Sequence, residues 1–125
     1  MKAYTDIEQS KKLSEILPIE SADMWYCPYP NDVDWHNEPN IGKAELLLNQ
    51  LPCWSLAALI EQLDGNITND DGSDLLLEIN KENGQYYLYY YNRWRWKEYI
   101  ETDYYDNLID ACYEMIIKLH EEKLL

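Results

Sequence analysis

Phenylalanine is absent from the chain, so its large aromatic side chains are 12 tyrosines and 5 tryptophans. Each of these carries a polar atom that needs a partner wherever the ring is buried. Glycine is scarce, with 4 in 125 residues, and there is neither a Gly-rich phosphate loop nor a nucleophile elbow. Cations are scarce too: 10 Lys and Arg stand against 24 Asp and Glu, a formal net charge of −14. That deficit argues against direct nucleic-acid binding, which needs cations to displace phosphate counterions, and against an anionic membrane surface. No apolar run approaches the roughly 18 residues of a membrane-spanning helix. Met1 to Ser10 carries Asp6 and Glu8 and lacks the apolar segment of a signal peptide. Cys27, Cys53 and Cys112 are an odd set with no paired spacing, which does not read as a disulfide framework. A single domain spanning residues 1–125 in a reducing cytoplasm is the expectation, without a membrane.

What is present is a patterned C-terminal half. Thr5-Asp6-Ile7-Glu8 has capping-box spacing and predicts a helix from about Asp6 to Leu17, stopped by Pro18. Ser21 to Tyr26 reads as one further helical turn capped by Ser21. Cys27 to Gly42, with Pro28, Pro30 and Pro39, reads as a long Pro-rich loop pinned by Trp35. Residues 44–51 fit a buried strand or a helix equally, and Pro52 interrupts them. Ser55 caps a stripe of Leu56, Leu59, Ile60 and Leu63.

Three strands follow. Asp74 to Asn80 alternates, Asn83-Gly84 is the pair that tight hairpins favour, and Gln85 to Tyr91 returns. In the returning strand, Tyr86, Leu88 and Tyr90 share one face, and Tyr87, Tyr89 and Tyr91 the other. Trp94 to Glu101 makes the third strand, with Trp94 and Trp96 opposite Arg95 and Lys97. Asn107 then caps an amphipathic helix along Leu108, Cys112, Met115, Ile116 and Leu119. The expected fold is α+β. Its core over 44–125 is a three-stranded antiparallel sheet, in helix-strand-strand-strand-helix order, with both helices on one face. An N-terminal helix and loop over 1–43 precede it.

Segments Ser21 to Tyr26, Pro52 to Leu59, Asp110 to Met115 and Leu119 to Glu121 resemble a family of small acidic proteins. These come from prophages and mobile elements in gut bacteria of the Bacteroides type. The resemblance covers most of the chain outside the Cys27 to Gly42 loop. It implies a mobile-element setting and a cytoplasmic protein, and no activity. The family's last helix usually opens with Thr-Pro, where this chain has Asn107-Leu108. The element order also resembles the double-stranded-RNA-binding fold, in topology alone. That fold contacts phosphate with cations, whereas Asp103, Asp106 and Asp110 stand beside the last helix here.

Few residues invite chemistry. Asp32, Asp34, His36 and Glu38 alternate like oxygen and nitrogen ligands for a divalent cation, or form a solvated acidic loop. An EF-hand would need Gly and Glu where Asn37 and Lys43 stand. Cys53 precedes a helix start, where a thiolate can be stabilised, but a structural role is favoured for it, and Cys112 lies on a core stripe. Arg93 to Lys97 mixes cations with tryptophans, as single-strand binders do, but alternation splits it between two faces. No catalytic residue, metal ligand or cofactor is assigned. Tyr87, Tyr89 and Tyr91, with Arg95 and Lys97, are the candidate interaction surface, for an unknown protein partner or a second copy. Ala44 to Asn80 contains seven carboxylates and no Lys or Arg, which keeps an acidic mimic of DNA as the alternative. A small enzyme ranks below both.

Overall fold

The computed structural model describes residues 2–30, 34–68, 71–92 and 97–125. The fold is α+β with three α-helices and antiparallel sheets among the described residues. It divides into two compact units, Lys2–Leu59 and Ile60–Leu125. Residues 44–59, grouped above with the C-terminal core, therefore belong to the N-terminal unit.

In the N-terminal unit, α1 (Ile7–Ser14) starts one residue later than the Thr5 box predicts. Asp6 is the cap: its carboxylate accepts the Gln9 amide at 2.8 Å, and the Gln9 side chain accepts the Asp6 amide at 3.1 Å. Thr5 is not free to cap, because it is fully buried and its hydroxyl accepts the Trp54 amide at 3.1 Å.

The helical turn expected from Ser21 is instead a 3-10 turn, Ile19–Ser21, followed by strand β1 (Met24–Tyr26). Two tertiary contacts draw this segment out of a helix. Ser21 Oγ accepts the Trp54 indole N–H at 2.9 Å, and the Asp23 carboxylate accepts both the amide and the hydroxyl of Ser55. The long loop contains a short strand, β2 (Asn40–Ile41), and a bridge between Pro28 and Trp35.

Neither reading of residues 44–51 describes them. Leu46–Leu48 is a 3-10 turn, Asn49 takes a positive φ of 55°, and β3 (Leu51–Cys53) follows with Pro52 inside it. The sheet order is β2-β1-β3, so β3 is an edge, where a missing N–H is tolerated. Tyr26, Leu51 and Cys53 form the buried centre, with Tyr4, Ile7, Met24 and Trp35 against it. Ser55 caps α2 (Leu56–Glu61) as its sequence predicts, accepting the Ala58 amide at 3.3 Å.

The C-terminal unit follows its sequence pattern more closely, with one addition. Asn66–Thr68 forms β4, making the sheet four-stranded in the order β4-β5-β6-β7, with β5 (Asp74–Glu82), β6 (Gln85–Asn92) and β7 (Lys97–Glu101). The three-stranded helix-strand-strand-strand-helix core is thus not what forms: the sheet has a fourth strand, and α2 begins in the other unit. A segment with one apolar residue, Ile67, gives no alternation to read, and pairing with β5 supplies its order.

Asn83 and Gly84 both have positive φ, 53° and 79°, the backbone a tight type I′ hairpin turn requires. That turn sets the β5–β6 register from Glu82 opposite Gln85 through Leu75 opposite Asn92. α3 (Leu108–Glu121), capped by Asn107 accepting the Asp110 amide at 2.9 Å, packs on β6. Leu75, Leu88, Tyr90, Ile109, Cys112, Met115, Ile116 and Leu119 are buried in this unit.

Candidate interaction surface

Burial decides which tyrosine set lies on the core side of the sheet. Leu88 and Tyr90 are fully buried, and Tyr86 belongs to their face. Tyr90 donates its hydroxyl to the Asp64 carbonyl at 2.6 Å, and burial raises its pKa above the ordinary tyrosine value. Lys81, directly opposite Tyr86, lies over that ring at 5.3 Å.

Tyr87, Tyr89 and Tyr91 line the outer face, each half-buried. Their rings form a row: Tyr87 and Tyr89 stack at 5.7 Å, and Tyr89 meets Tyr91 at 5.9 Å. Tyr104, 51% exposed, extends the row by a 4.6 Å contact with Tyr87. It is held by its hydroxyl, 3.5 Å from the Glu82 carboxylate. Asn80 donates to the Tyr89 hydroxyl at 3.2 Å.

Carboxylates flank the row. Directly opposite residues in antiparallel strands project to one face, with Cβ atoms about 5 Å apart. Tyr89 faces Glu78 on β5 and Glu101 on β7, and both glutamates are exposed. The β6–β7 register shifts between Tyr90 and Tyr91, so Tyr90 faces Ile100 while Tyr91 faces Glu98.

The structure thus brings together Tyr87, Tyr89 and Tyr91 of the predicted surface. Lys97 begins β7 opposite Asn92, and Arg95 lies outside the described residues with Arg93, Trp94 and Trp96. Sequence reasoning missed Tyr104, Glu78 and Glu101. Glu78 was within reach, because the Asn83-Gly84 turn fixes its position opposite Tyr89. Glu101 was not, because the irregularity in β6–β7 displaces its register by one residue.

The other candidates lie elsewhere. Asp34, His36 and Glu38 are exposed, and the His36 ring rests 4.1 Å from that of Tyr29; Asp32 lies outside the described residues. Among the described residues, no three His, Cys, Asp or Glu side chains gather as metal ligands.

Cys53 takes the structural role its sequence reading favours over a stabilised thiolate. It is fully buried in strand β3, its thiol donates to the Thr5 carbonyl at 3.4 Å, and burial pushes its pKa up. Cys112 is buried on the core stripe as expected, and burial pushes its thiol up to about 12. A cleft of about 520 Å³ in the N-terminal unit is lined by Leu17, Ile19, Trp35, Leu51 and Pro52, with Asn49 and Gln50 at its polar side.

No family model, curated protein or solved structure matches the chain. Among the described residues, no helix is long and apolar enough to cross a membrane.

Proposed function

We propose that the chain is a non-enzymatic, mobile-element-encoded interaction module that engages a protein partner through the outer tyrosine face of its four-stranded sheet. The observation that supports this is the contiguous row Tyr91-Tyr89-Tyr87-Tyr104, set on the side of the sheet away from Leu88 and Tyr90. A tyrosine offers large contact area and a hydrogen-bonding tip while losing only two side-chain torsions on binding, which is why such rings concentrate in recognition surfaces.

The same surface would serve a homodimer, and sizing of the pure protein separates the two uses. The DNA-mimic alternative needs carboxylates spaced like phosphates on one surface. In the stretch 44–80, Glu45 precedes a 3-10 turn, Glu61 ends a helix, Asp64 and Asp71 lie in loops and Asp74 and Glu78 in a strand, while Asp70 lies outside the described residues; Asp71 is engaged by the amide of Ser73 at 2.9 Å.

The test is capture from host lysate with the full chain. A partner should be retained by wild type and by the surface control Leu47→Ser, and lost by Tyr87→Ser/Tyr89→Ser. Retention by the double tyrosine variant would overturn this reading, as would a strictly monomeric protein that captures nothing.

A further inference from the structure

The N-terminal unit carries an apolar projection beside an apolar cleft. Leu47 is 99% exposed and Leu48 56%, both in the 3-10 turn Leu46–Leu48. Among the described residues, no large apolar side chain is more exposed than Leu47. The chain then runs directly into the cleft of about 520 Å³, whose rim is Asn49 and Gln50 and whose walls are Leu17, Ile19, Trp35 and Leu51. We propose that this surface pairs with a second copy of the chain about a twofold axis, the Leu47-Leu48 projection of each copy seated in the cleft of the other.

The projection is built, not loose. The Glu45 carbonyl accepts the amides of Leu48 at 3.1 Å and Gln50 at 3.4 Å, and the Gln50 side chain accepts the Glu45 amide at 2.9 Å. Asn49 turns the chain with its positive φ of 55°, a conformation asparagine tolerates better than most residues. A closed loop thus holds Leu47 in water, and its exposure shows that it does not fill its own cleft. The cleft wall is fixed as well: the Trp35 indole donates to the Asn49 carbonyl at 3.4 Å, and Lys11 Nζ lies 5.1 Å from the ring centre.

A small apolar molecule in the cleft would leave Leu47 in water. A second copy covers both features at once, because a projection and a recess side by side on one surface are self-complementary under a twofold rotation. The cleft is as large as sites that enclose drug-sized ligands, so it has room for two leucine side chains. Charge favours the same unit. Residues 2–59 carry nine carboxylates against four lysines, and residues 60–125 carry fifteen against six cations. Two copies that meet through the N-terminal unit therefore face the weaker repulsion.

Sedimentation velocity of the full chain over a concentration series tests this. Wild type should dimerise, and more tightly as salt rises, because the contact is apolar and both copies are acidic. Leu47→Ser/Leu48→Ser should weaken the dimer by about tenfold or more. Ser14→Trp, at an exposed position lining the cleft, should do the same by blocking the recess. An equal mixture of these two variants should dimerise more tightly than either alone, since one intact projection then meets one open cleft. Ile41→Ser removes another exposed apolar side chain, on β2 at the opposite edge of the sheet from β3, and should leave the dimer unchanged. A wild type that stays monomeric at about 0.1 mM would overturn the inference. A mixture no tighter than its components would overturn the seating of projection in cleft. A dimer lost in Tyr87→Ser/Tyr89→Ser and kept in Leu47→Ser/Leu48→Ser would put the second copy on the tyrosine face instead. Lysate capture by a monomeric wild type would leave the tyrosine reading standing and remove this one.

Discussion

The two units hold their shape by different means. In Ile60–Leu125 the side chains that matter recur with the period of their element: Leu88 and Tyr90 on one face of β6, and Ile109, Cys112, Met115, Ile116 and Leu119 along α3. In Lys2–Leu59 the decisive contacts join residues far apart in sequence through buried polar atoms. The Thr5 carbonyl accepts the Tyr26 hydroxyl at 2.6 Å and the Cys53 thiol at 3.4 Å, and the Thr5 hydroxyl lies 2.8 Å from that of Ser10. The first unit is stabilised mainly by apolar burial, which tolerates small shifts. The second depends on directional bonds in a dry site, where a lost partner leaves a group unsatisfied.

The largest effect should come from alkali, and it should strike both units. Buried acids whose pKa rises on folding, Cys112 and Tyr90 in one unit and Cys53 and Tyr26 in the other, resist losing their protons in the native state. Between the ordinary thiol value of 9.0 and about 12, the unfolded chain has given up the Cys112 proton while the native chain still holds it. The contribution to stability is therefore complete below the lower value and falls as pH rises through the interval. Urea midpoints should drop steadily over that range. Cys112→Ala should flatten the drop for amides of Ile60–Leu125 in hydrogen exchange and leave it unchanged for Lys2–Leu59. An identical slope in the variant would show that this thiol does not contribute.

Next in size is Leu88→Ala. The side chain is fully buried on the face of β6 against which α3 packs, and truncation should cost about 2–5 kcal/mol, including the cavity left behind. Thr5→Val tests the other unit with almost no change in shape. It removes the acceptor of the Trp54 amide and the partner of Ser10, so it should cost about 1–3 kcal/mol. Amide exchange should accelerate at Trp54 in Thr5→Val and at residues of β6 in Leu88→Ala. A Thr5→Val variant as stable as wild type would mean that apolar burial holds both units alike.

The same contrast explains how much of the molecule was legible in its sequence. Alternation in β5 and β6, the Asn83-Gly84 turn, the Asn107 cap and the stripe of α3 are local signals, and local geometry is what they produced. They also sorted the tyrosines of β6 correctly into two faces, though not which face was core. That choice is made by where α3 lands, a long-range packing decision. In the N-terminal unit the segment 21–26 has the residues of a capped turn, yet Ser21 and Asp23 spend their side chains on Trp54 and Ser55, more than 30 positions away. No local rule contains that information. β4 was missed because a short strand with one apolar residue is defined by its neighbour, and Glu101 because an irregular register is not encoded in alternation.

The smallest expected effect lies at the start of α1, where the two kinds of signal compete within four residues. Thr5 and Glu8 have capping-box spacing, and so do Asp6 and Gln9; only the second pair is used. The reason is tertiary, since the Thr5 side chain is taken by Trp54 and Ser10. Asp6→Ala should therefore cost about 1 kcal/mol, the usual worth of a cap. Glu8→Ala should cost only about 0.3 kcal/mol, the worth of its exposed pair with Lys11 at 3.3 Å and its place in the first turn. In the double variant Thr5→Val/Asp6→Ala the costs should not add independently, because both substitutions loosen the same turn. Thermal melts of the four proteins measure this directly. A Glu8→Ala cost as large as that of Asp6→Ala would show that the Thr5 box forms in solution after all, and that the buried network of the N-terminal unit is weaker than its geometry implies.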